Sequence, residues 1–245
     1  MPRYILVRET ASTNSYMARM ASMLPSGTVI HTPIQSAGRG QRGNSWEAEP
    51  YKNTIFSYLL KQPAIGADKQ FYISEAASLA VIDALKGYAD GFSIKWPNDI
   101  YYQDKKIAGM LIENSLAGAG INHSIIGIGL NVNQKEFLSD APNPISLVQI
   151  IGSEVETEKV LHDVCQNIEN RTRFAEMNDA DFDSMHAEYI DNLYRTDGKF
   201  YEFALPSGEK FKARIKDVAP DGVLSLEKED GTEGNFYFKE VSYII

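Results

Sequence analysis

The chain is expected to be an α+β protein: a central mixed or antiparallel sheet flanked by helices, followed by a small antiparallel β-barrel. Three observations predict this. Between Ser12 and Leu193, β-branched or apolar runs are interspersed with segments whose apolar residues recur at helical spacing. Beyond Asp197-Gly198 the pattern changes to short alternating runs broken by Pro206-Ser207-Gly208, Ala219-Pro220-Asp221-Gly222 and Asp230-Gly231, the turn spacing of a small barrel or sandwich. Finally, 245 residues with 43% hydrophobic side chains suffice for one large and one small unit. A boundary near Arg195 divides them into 1–195 and 196–245.

The first helix is expected over Ser12 to Met23, with Ser12 as N-cap and Met17, Met20 and Ala21 on one side. After the Pro25-Ser26-Gly27 turn, Thr28 to His31 is β-branched and predicts a strand leading through Pro33 and Gln35 into a glycine loop. Asn53 to Leu60 is the next strand. Phe71 to Leu85 carries Ala76, Ala77, Ala80, Val81, Ala84 and Leu85 at helical spacing, and Gly87 follows as a stop, so a helix with one buried face is expected. From Phe92 to Val132, the runs F-S-I-K-W, I-A-G-M-L-I-E and S-I-I-G-I-G-L-N-V are separated by polar or glycine turns and read as antiparallel neighbours. The second and third are apolar at successive positions, as in strands covered on both faces. Ser153 with Glu156 suggests a cap for a helix running through Ile168, and Phe182, Met185, Tyr189 and Leu193 mark another. The charged stretch Glu227 to Glu233 reads best as a solvated hairpin.

Composition narrows the function. A formal net charge of −9 argues against general affinity for a nucleic-acid backbone, which needs clustered Lys and Arg. The start, Met1-Pro2-Arg3-Tyr4, opens no signal sequence, and no apolar run approaches the ~18 residues of a membrane span, so a cytoplasmic protein is expected. Cys165 is the only cysteine, placed among Val160, Leu161, Val164 and Ile168 at helical spacing, which suggests core packing. His31, His123, His162 and His186 lack metal-ligand spacing.

Against that acidic background, Ser36 to Trp46, S-A-G-R-G-Q-R-G-N-S-W, holds two arginines, three glycines and no acid. Glycine permits close main-chain approach, and arginine offers a forked donor for carboxylate or phosphate, so the loop suits a polyanionic small molecule. A mobile connection kept soluble by its arginines would look the same. The letters G-R-G-Q-R-G fit a dinucleotide fingerprint but not its strand-to-helix context, and no P-loop pattern occurs. A second constellation is Lys95-Trp96-Pro97-Asn98-Asp99 with Asp104-Lys105-Lys106-Ile107-Ala108-Gly109: proline ends the strand and presents Asn98 and Asp99 at a corner near lysines. Lys can neutralise phosphate and Asp can hold Mg²⁺, although on this segment alone a hairpin with surface ion pairs is the slightly favoured reading. The third is Gly127-Ile128-Gly129-Leu130-Asn131-Val132-Asn133, where strand glycines mark close approach by a ligand or by another backbone, and Asn131 could pair with a base edge.

In order and approximate spacing, Ser12-Thr13-Asn14, Gln35 with G-R-G-Q-R-G-N-S-W, K-W-P-N-D with D-K-K-I-A-G, and G-I-G-L-N-V-N resemble the biotin protein ligases. The resemblance spans Ser12 to Asn133, and the tail is similar to that family's small SH3-like domain. It implies a catalytic fold like that of class II aminoacyl-tRNA synthetases, shared with lipoate ligases, whose arginine-pair and triple-glycine motif is absent here. The implied reaction has two steps: biotin attacks the α-phosphate of ATP, releasing pyrophosphate, and a lysine of a biotin carboxyl carrier domain then attacks biotinyl-5′-AMP. Carried over residue by residue, Lys106, Arg39 and Arg42 are the expected catalytic cations, with Lys106 near the reacting carboxylate. Ser12, Thr13, Asn14, Gln35, Gly38, Arg39, Gly40, Gln41, Lys106 and Gly109 are expected around biotin. Arg42, Trp46, Lys95, Asn98, Asp99 and Asn131 are expected around ATP, with Asp99 also on Mg²⁺ and Trp46 covering the adenylate. Members of the family can form homodimers by joining sheets side by side, and nothing in this sequence identifies an edge for such pairing.

Two positions depart from that pattern. Gln41 stands where the family commonly has arginine after G-R-G, and Val241-Ser242-Tyr243-Ile244-Ile245 offers no counterpart to its C-terminal arginine. With eleven residues before Ser12 and an acidic chain, a form without a DNA-binding domain is expected. The alternatives are a lipoate or octanoate ligase of the same fold, and a binding protein without catalysis.

Overall fold

The computed structural model describes residues 1–139 and 143–245. Its elements run β1 (Arg3–Leu6), α1 (Thr13–Met20), β2 (Thr28–His31), β3 (Thr54–Lys61), α2 (Phe71–Leu85), β4 (Phe92–Lys95), β5 (Asp99–Tyr102), β6 (Lys105–Ala117), β7 (Gly120–Leu130), α3 (Leu147–Ile151), α4 (Thr157–Arg171) and α5 (Asp179–Asp191). Then follow β8 (Tyr201–Ala204), β9 (Lys210–Val218), β10 (Leu224–Lys228), β11 (Glu233–Phe236) and β12 (Ser242–Tyr243). β1 to β7 form one sheet in the order β1-β2-β3-β7-β6-β5-β4, with β1 and β2 parallel and every other pair antiparallel. β8 to β12 form a second sheet, β11-β10-β9-β8-β12, antiparallel throughout.

Register decides what each sheet face holds, because directly paired residues point the same way. On one face Phe56 pairs with Ile128, Tyr58 with Ile126, and Met110 with Ile128. These side chains join α2 and α4 in the main core. On the other face Ile30, Leu59 and Ile125 pack under Met17 and Ala21 of α1 in a smaller cluster. Beyond α1, the rows Gly109–Gly129–Ile55 and Leu111–Gly127–Ser57 lie across β6, β7 and β3, so glycine replaces bulk at the middle of this face. The result is a floor of backbone over which a ligand can lie.

The sequence predicts one buried face for α2, but the structure buries all of it except Ser74 and Asp83. The helix is enclosed by the sheet, α4 and α5, and its first turn meets the second sheet: Phe71 N–H donates to Pro220 O at 3.1 Å. That carbonyl satisfies an amide that no helical acceptor can reach. The indole of Trp96 likewise donates to Gly222 O at 3.0 Å, and the Phe71 ring lies where a Cβ on Gly222 would be. The β9–β10 loop is thereby docked beside the K-W-P-N-D turn.

Four expectations on elements are corrected. The first helix ends at Met20 rather than Met23. The stretch from Phe92 holds four strands, since Asp99–Tyr102 forms β5 of its own, and β1 adds an edge strand not foreseen. Ser153 does not cap α4, whose N-cap is Glu156; it lies just past the left-handed Gly152 that ends α3, so the chain is still turning there. Reciprocal caps belong instead to α3, through Ser146 and Gln149, and to α5, where Asp181 N–H donates to Asn178 Oδ1 at 3.2 Å and Asn178 N–H to Asp181 Oδ2 at 2.9 Å.

Candidate active site

The G-R-G-Q-R-G segment folds back on itself as a small hairpin. Trp46 N–H donates to Gly38 O at 2.9 Å and Gly40 N–H to Asn44 O at 2.7 Å, around a 3-10 turn at Gln41–Gly43. Gly43 sits at φ 90°, a conformation open to glycine. At Gly38 a Cβ would be 2.4 Å from Trp46 O, so only glycine lets the two arms close. The hairpin delivers Trp46 onto the glycine floor: its ring atoms lie 2.4 Å from where a Cβ of Gly129 would stand and 3.0 Å from that of Gly109. The close approaches at the strand glycines are made by side chains rather than by another backbone, since Gly109 and Gly129 admit the indole while Gly127 admits the side chain of Asn14.

Between hairpin and sheet lies a cavity of about 320 Å³. One end is polar and buried. Ser12, Thr13 and Asn14, at the start of α1, are each no more than 5% exposed. There Thr13 N–H donates to Gln35 Oε1 at 3.0 Å, and Ser57 Oγ contacts Thr13 Oγ1 at 2.9 Å and Asn14 Oδ1 at 2.5 Å. The other end is cationic. Lys95, Asp99, Gly109 and Gly129 form one row across β4 to β7. A bulge at Ile107 of β6, opposite Ile100 and Tyr101, resets the register, and Lys106 Nζ meets Asp99 Oδ1 at 2.7 Å while lying 5.6 Å from the Trp46 ring centre. Lys95 has no carboxylate within ion-pair reach among the described residues; its ammonium sits 5.1 Å and 5.0 Å from the rings of Tyr101 and Tyr243. Burial lowers the Lys95 pKa, with Asp99 opposing the shift. Two ring faces compensate a half-buried cation only in part, so Lys95 favours an incoming anion.

Of the expected site residues, Ser12, Thr13, Asn14, Gln35, Arg39, Gly40, Gln41, Trp46, Lys95, Asn98, Asp99, Lys106 and Gly109 all line this cavity. Gly38 stands behind the wall as the hairpin's closing point. Asn131 is also behind it, 3% exposed, donating Nδ2 to Ile145 O at 3.1 Å and leaving Oδ1 without a partner among the described residues. Asn98 clamps β5 to β6, its Nδ2 and O both bonded to the main chain of Met110. The side chain of Arg42 lies outside the described residues. Unforeseen are the wall residues Phe238, Lys239, Val241, Ser242 and Tyr243, brought in by the second sheet, and Glu113, which holds Arg39. No local pattern signals the former, because they reach the site through tertiary docking alone. Glu113 was visible as the one acid of its strand run.

Fold and cavity together define an α+β protein with one cavity end that is polar and buried and another that is cationic. The chain belongs to the biotin/lipoate A/B protein ligase family, whose model matches residues 6–131. It is 33% identical over 163 residues to the biotin–[acetyl-CoA-carboxylase] ligase of Paracoccus denitrificans, covering 64% of this chain and 67% of that one. It is 28% identical over 223 residues to the bifunctional ligase/repressor of Bacillus spizizenii, covering 84% of this chain and 63% of that protein. In fold it is similar to the biotin protein ligase of Aquifex aeolicus, solved in complex with biotin and ATP, with TM-score 0.79, 24% identity and coverage of 99% and 98%. That likeness extends through the second, five-stranded sheet.

Proposed function

We propose that the chain is an ATP-dependent biotin–protein ligase, which activates biotin as biotinyl-5′-AMP and passes it to a lysine of the biotin carboxyl carrier domain of an acetyl-CoA carboxylase, in the cytoplasm. The observation that carries the reading is the cavity's polarity: a buried hydrogen-bonding end joined, over a glycine floor, to a cluster of cations. A ureido ring needs its N–H and C=O groups paired when buried, which Ser12, Thr13 and Gln35 can do. The apolar dithiolane of lipoate would leave those groups unpaired, so the lipoate alternative is disfavoured by the same chemistry.

Biotin bound this way would direct its carboxylate to Lys106 and Arg39, and ATP would lay its phosphates toward Lys95 and, by sequence, Arg42. These cations offset the repulsion between the two anions. A carboxylate oxygen then forms a bond to the α-phosphorus as the bond to the bridging oxygen breaks, and pyrophosphate leaves. Asp99 aims the Lys106 ammonium through their ion pair. Asn131, expected at adenine, does not line the cavity, so its buried, unpartnered Oδ1 would meet the adenine amino group only if the wall in front of it moves. Asp99 is the only carboxylate in the cavity wall among the described residues, a donor set that fits Mg²⁺ held mostly by phosphate oxygens. Mg²⁺ would neutralise the leaving pyrophosphate, with Asp99 and Asn98 on its protein side. Trp46, Gly40 and Gln41 cover the mixed anhydride against water until the acceptor lysine attacks its acyl carbon, forming the amide, losing a proton and releasing AMP. Every group assigned here comes from one chain, so the reading requires no second copy.

Mass spectrometry of the chain mixed with Mg-ATP, an acceptor domain and biotin, lipoate or octanoate tests this. Biotin alone should modify the acceptor, and Lys106→Ala should lower adenylation by ~10²-fold or more without unfolding the protein. Modification by lipoate in preference to biotin would overturn the assignment.

A further inference from the structure

We infer that Glu113 is a positioning residue for Arg39, linking the head-group end of the cavity to the arginine that meets the carboxylate. The inference rests on the ligase reading above. The hairpin fixes the backbone of Arg39, which lies opposite Ser45 between the hydrogen-bonded Gly38 and Gly40, but this leaves its long side chain to be placed by other contacts. What fixes the guanidinium is Glu113 on β6: Arg39 Nη2 donates to Oε1 at 3.1 Å and to Oε2 at 2.9 Å. A single nitrogen is spent. Nε and Nη1 have no hydrogen-bond partner among the described residues, and Arg39 lines the cavity, so the fork remains open to a ligand's oxygens.

Glu113 is itself held from the opposite end of the site. Asn14 Nδ2 donates to Glu113 Oε2 at 2.8 Å and to Leu111 O at 3.0 Å. Asn14 Oδ1 accepts from Ser57 Oγ, which also contacts Thr13 Oγ1, and Thr13 N–H donates to Gln35 Oε1. With both donor and acceptor engaged, Asn14 acts as a strut between the head-group end and Glu113 rather than as a ligand contact. Gly127 is part of the device, since a Cβ there would stand 2.1 Å from Asn14 Oδ1. The half-exposed Arg39–Glu113 pair, with side chains 45% and 38% exposed, contributes little to stability, so its value lies in where it puts the guanidinium.

The test is a double-mutant cycle on the full chain, following biotinyl-AMP formation from biotin and Mg-ATP. Glu113→Gln should lower kcat for adenylation by ~10- to 100-fold, as misplacement of a reacting-group contact does. The KM for ATP and the thermal midpoint should be almost unchanged. In an Arg39→Ala background the same substitution should have no further effect, because Glu113 acts through Arg39. Glu113→Thr, which suits a strand but cannot reach Arg39, should repeat both results. Full activity in Glu113→Gln, or losses that multiply in the double variant, would overturn the inference alone. A wild-type chain that forms no biotinyl-AMP would instead sink the ligase reading.

Discussion

The absence of side chains does as much in this site as their presence. Gly109 and Gly129 face each other across β6 and β7 on the surface that α1 leaves uncovered, and the Trp46 indole lies on the backbone they expose. A larger residue at Gly129 meets that ring at 2.4 Å from its first carbon, closer than real contacts allow. Gly129→Val is therefore expected to lift Trp46 from the floor and narrow the cavity. The strand itself tolerates valine well, so the loss should be confined to overpacking, about 1–3 kcal/mol by urea unfolding. Adenylation should fall by ~10²-fold, because the lid can no longer close over the reacting groups. Wild-type turnover in this variant would show that Trp46 does not need its seat on Gly129.

Elements with long periodic patterns were legible before any coordinates. The bounds Phe71 to Leu85 were visible because alanine, valine and leucine recur at helical spacing until Gly87, and the buried Cys165 followed from its apolar neighbours. Short elements were not. β1 and β5 each have four residues and α3 has five, too few for a period to emerge, and the Asp99-Ile100-Tyr101-Tyr102 run was absorbed into the reading of K-W-P-N-D as a corner. The three motifs named most of the first sheet's share of the cavity, since each lies on a contiguous stretch, whereas Ser12, Thr13, Asn14 and Gln35 came from the family resemblance. The share from β11 to β12 depends on docking against Phe71 and Trp96, which has no local signature. Capping was misplaced for a related reason: the S-x-x-E letters at Ser153 and the N-x-x-D letters at Asn178 are equally good, and only the left-handed Gly152 decides between them. Asn178→Ala should accordingly cost about 1 kcal/mol in chemical unfolding, the usual worth of an N-cap. Adenylation should be untouched, as α5 contributes no residue to the cavity wall among those described. A stability change within ~0.2 kcal/mol would mean that the cap is redundant with packing.

The two sheets are joined by a core that runs from α2 through Phe203, Leu224 and Val241, and by one ionic clamp. Glu75 is fully buried on α2; His186 on α5 meets its Oε1 at 2.9 Å through Nδ1 and meets Asp217 Oδ1 of β9 at 2.9 Å through Nε2. The hydrogen bond to Glu75, opposed by desolvation and aided by Asp217, raises the His186 pKa from 6.5 to about 9. Burial raises that of Glu75 despite the imidazolium beside it. A histidine whose folded-state pKa exceeds its unfolded value stabilises fully below the unfolded pKa, and that contribution is lost as pH rises through the folded one. Glu75 has the same sign, since a raised carboxyl pKa also favours folding at lower pH. Stability should therefore fall between about pH 6.5 and pH 9, by ~2 kcal/mol after allowing for solvent screening at the exposed Asp217. Thermal unfolding across that window should show a falling midpoint, and His186→Asn should flatten the dependence while lowering stability at pH 6.5. Because Tyr243, Ser242 and Lys239 reach the cavity only through this docking, loosening the clamp should also raise the KM for ATP more than that for biotin, whose expected contacts lie on the start of α1, the first sheet and the loop and hairpin that follow β2. Equal changes in both constants, or a pH profile that His186→Asn leaves intact, would remove the clamp from any part in holding the second sheet to the site.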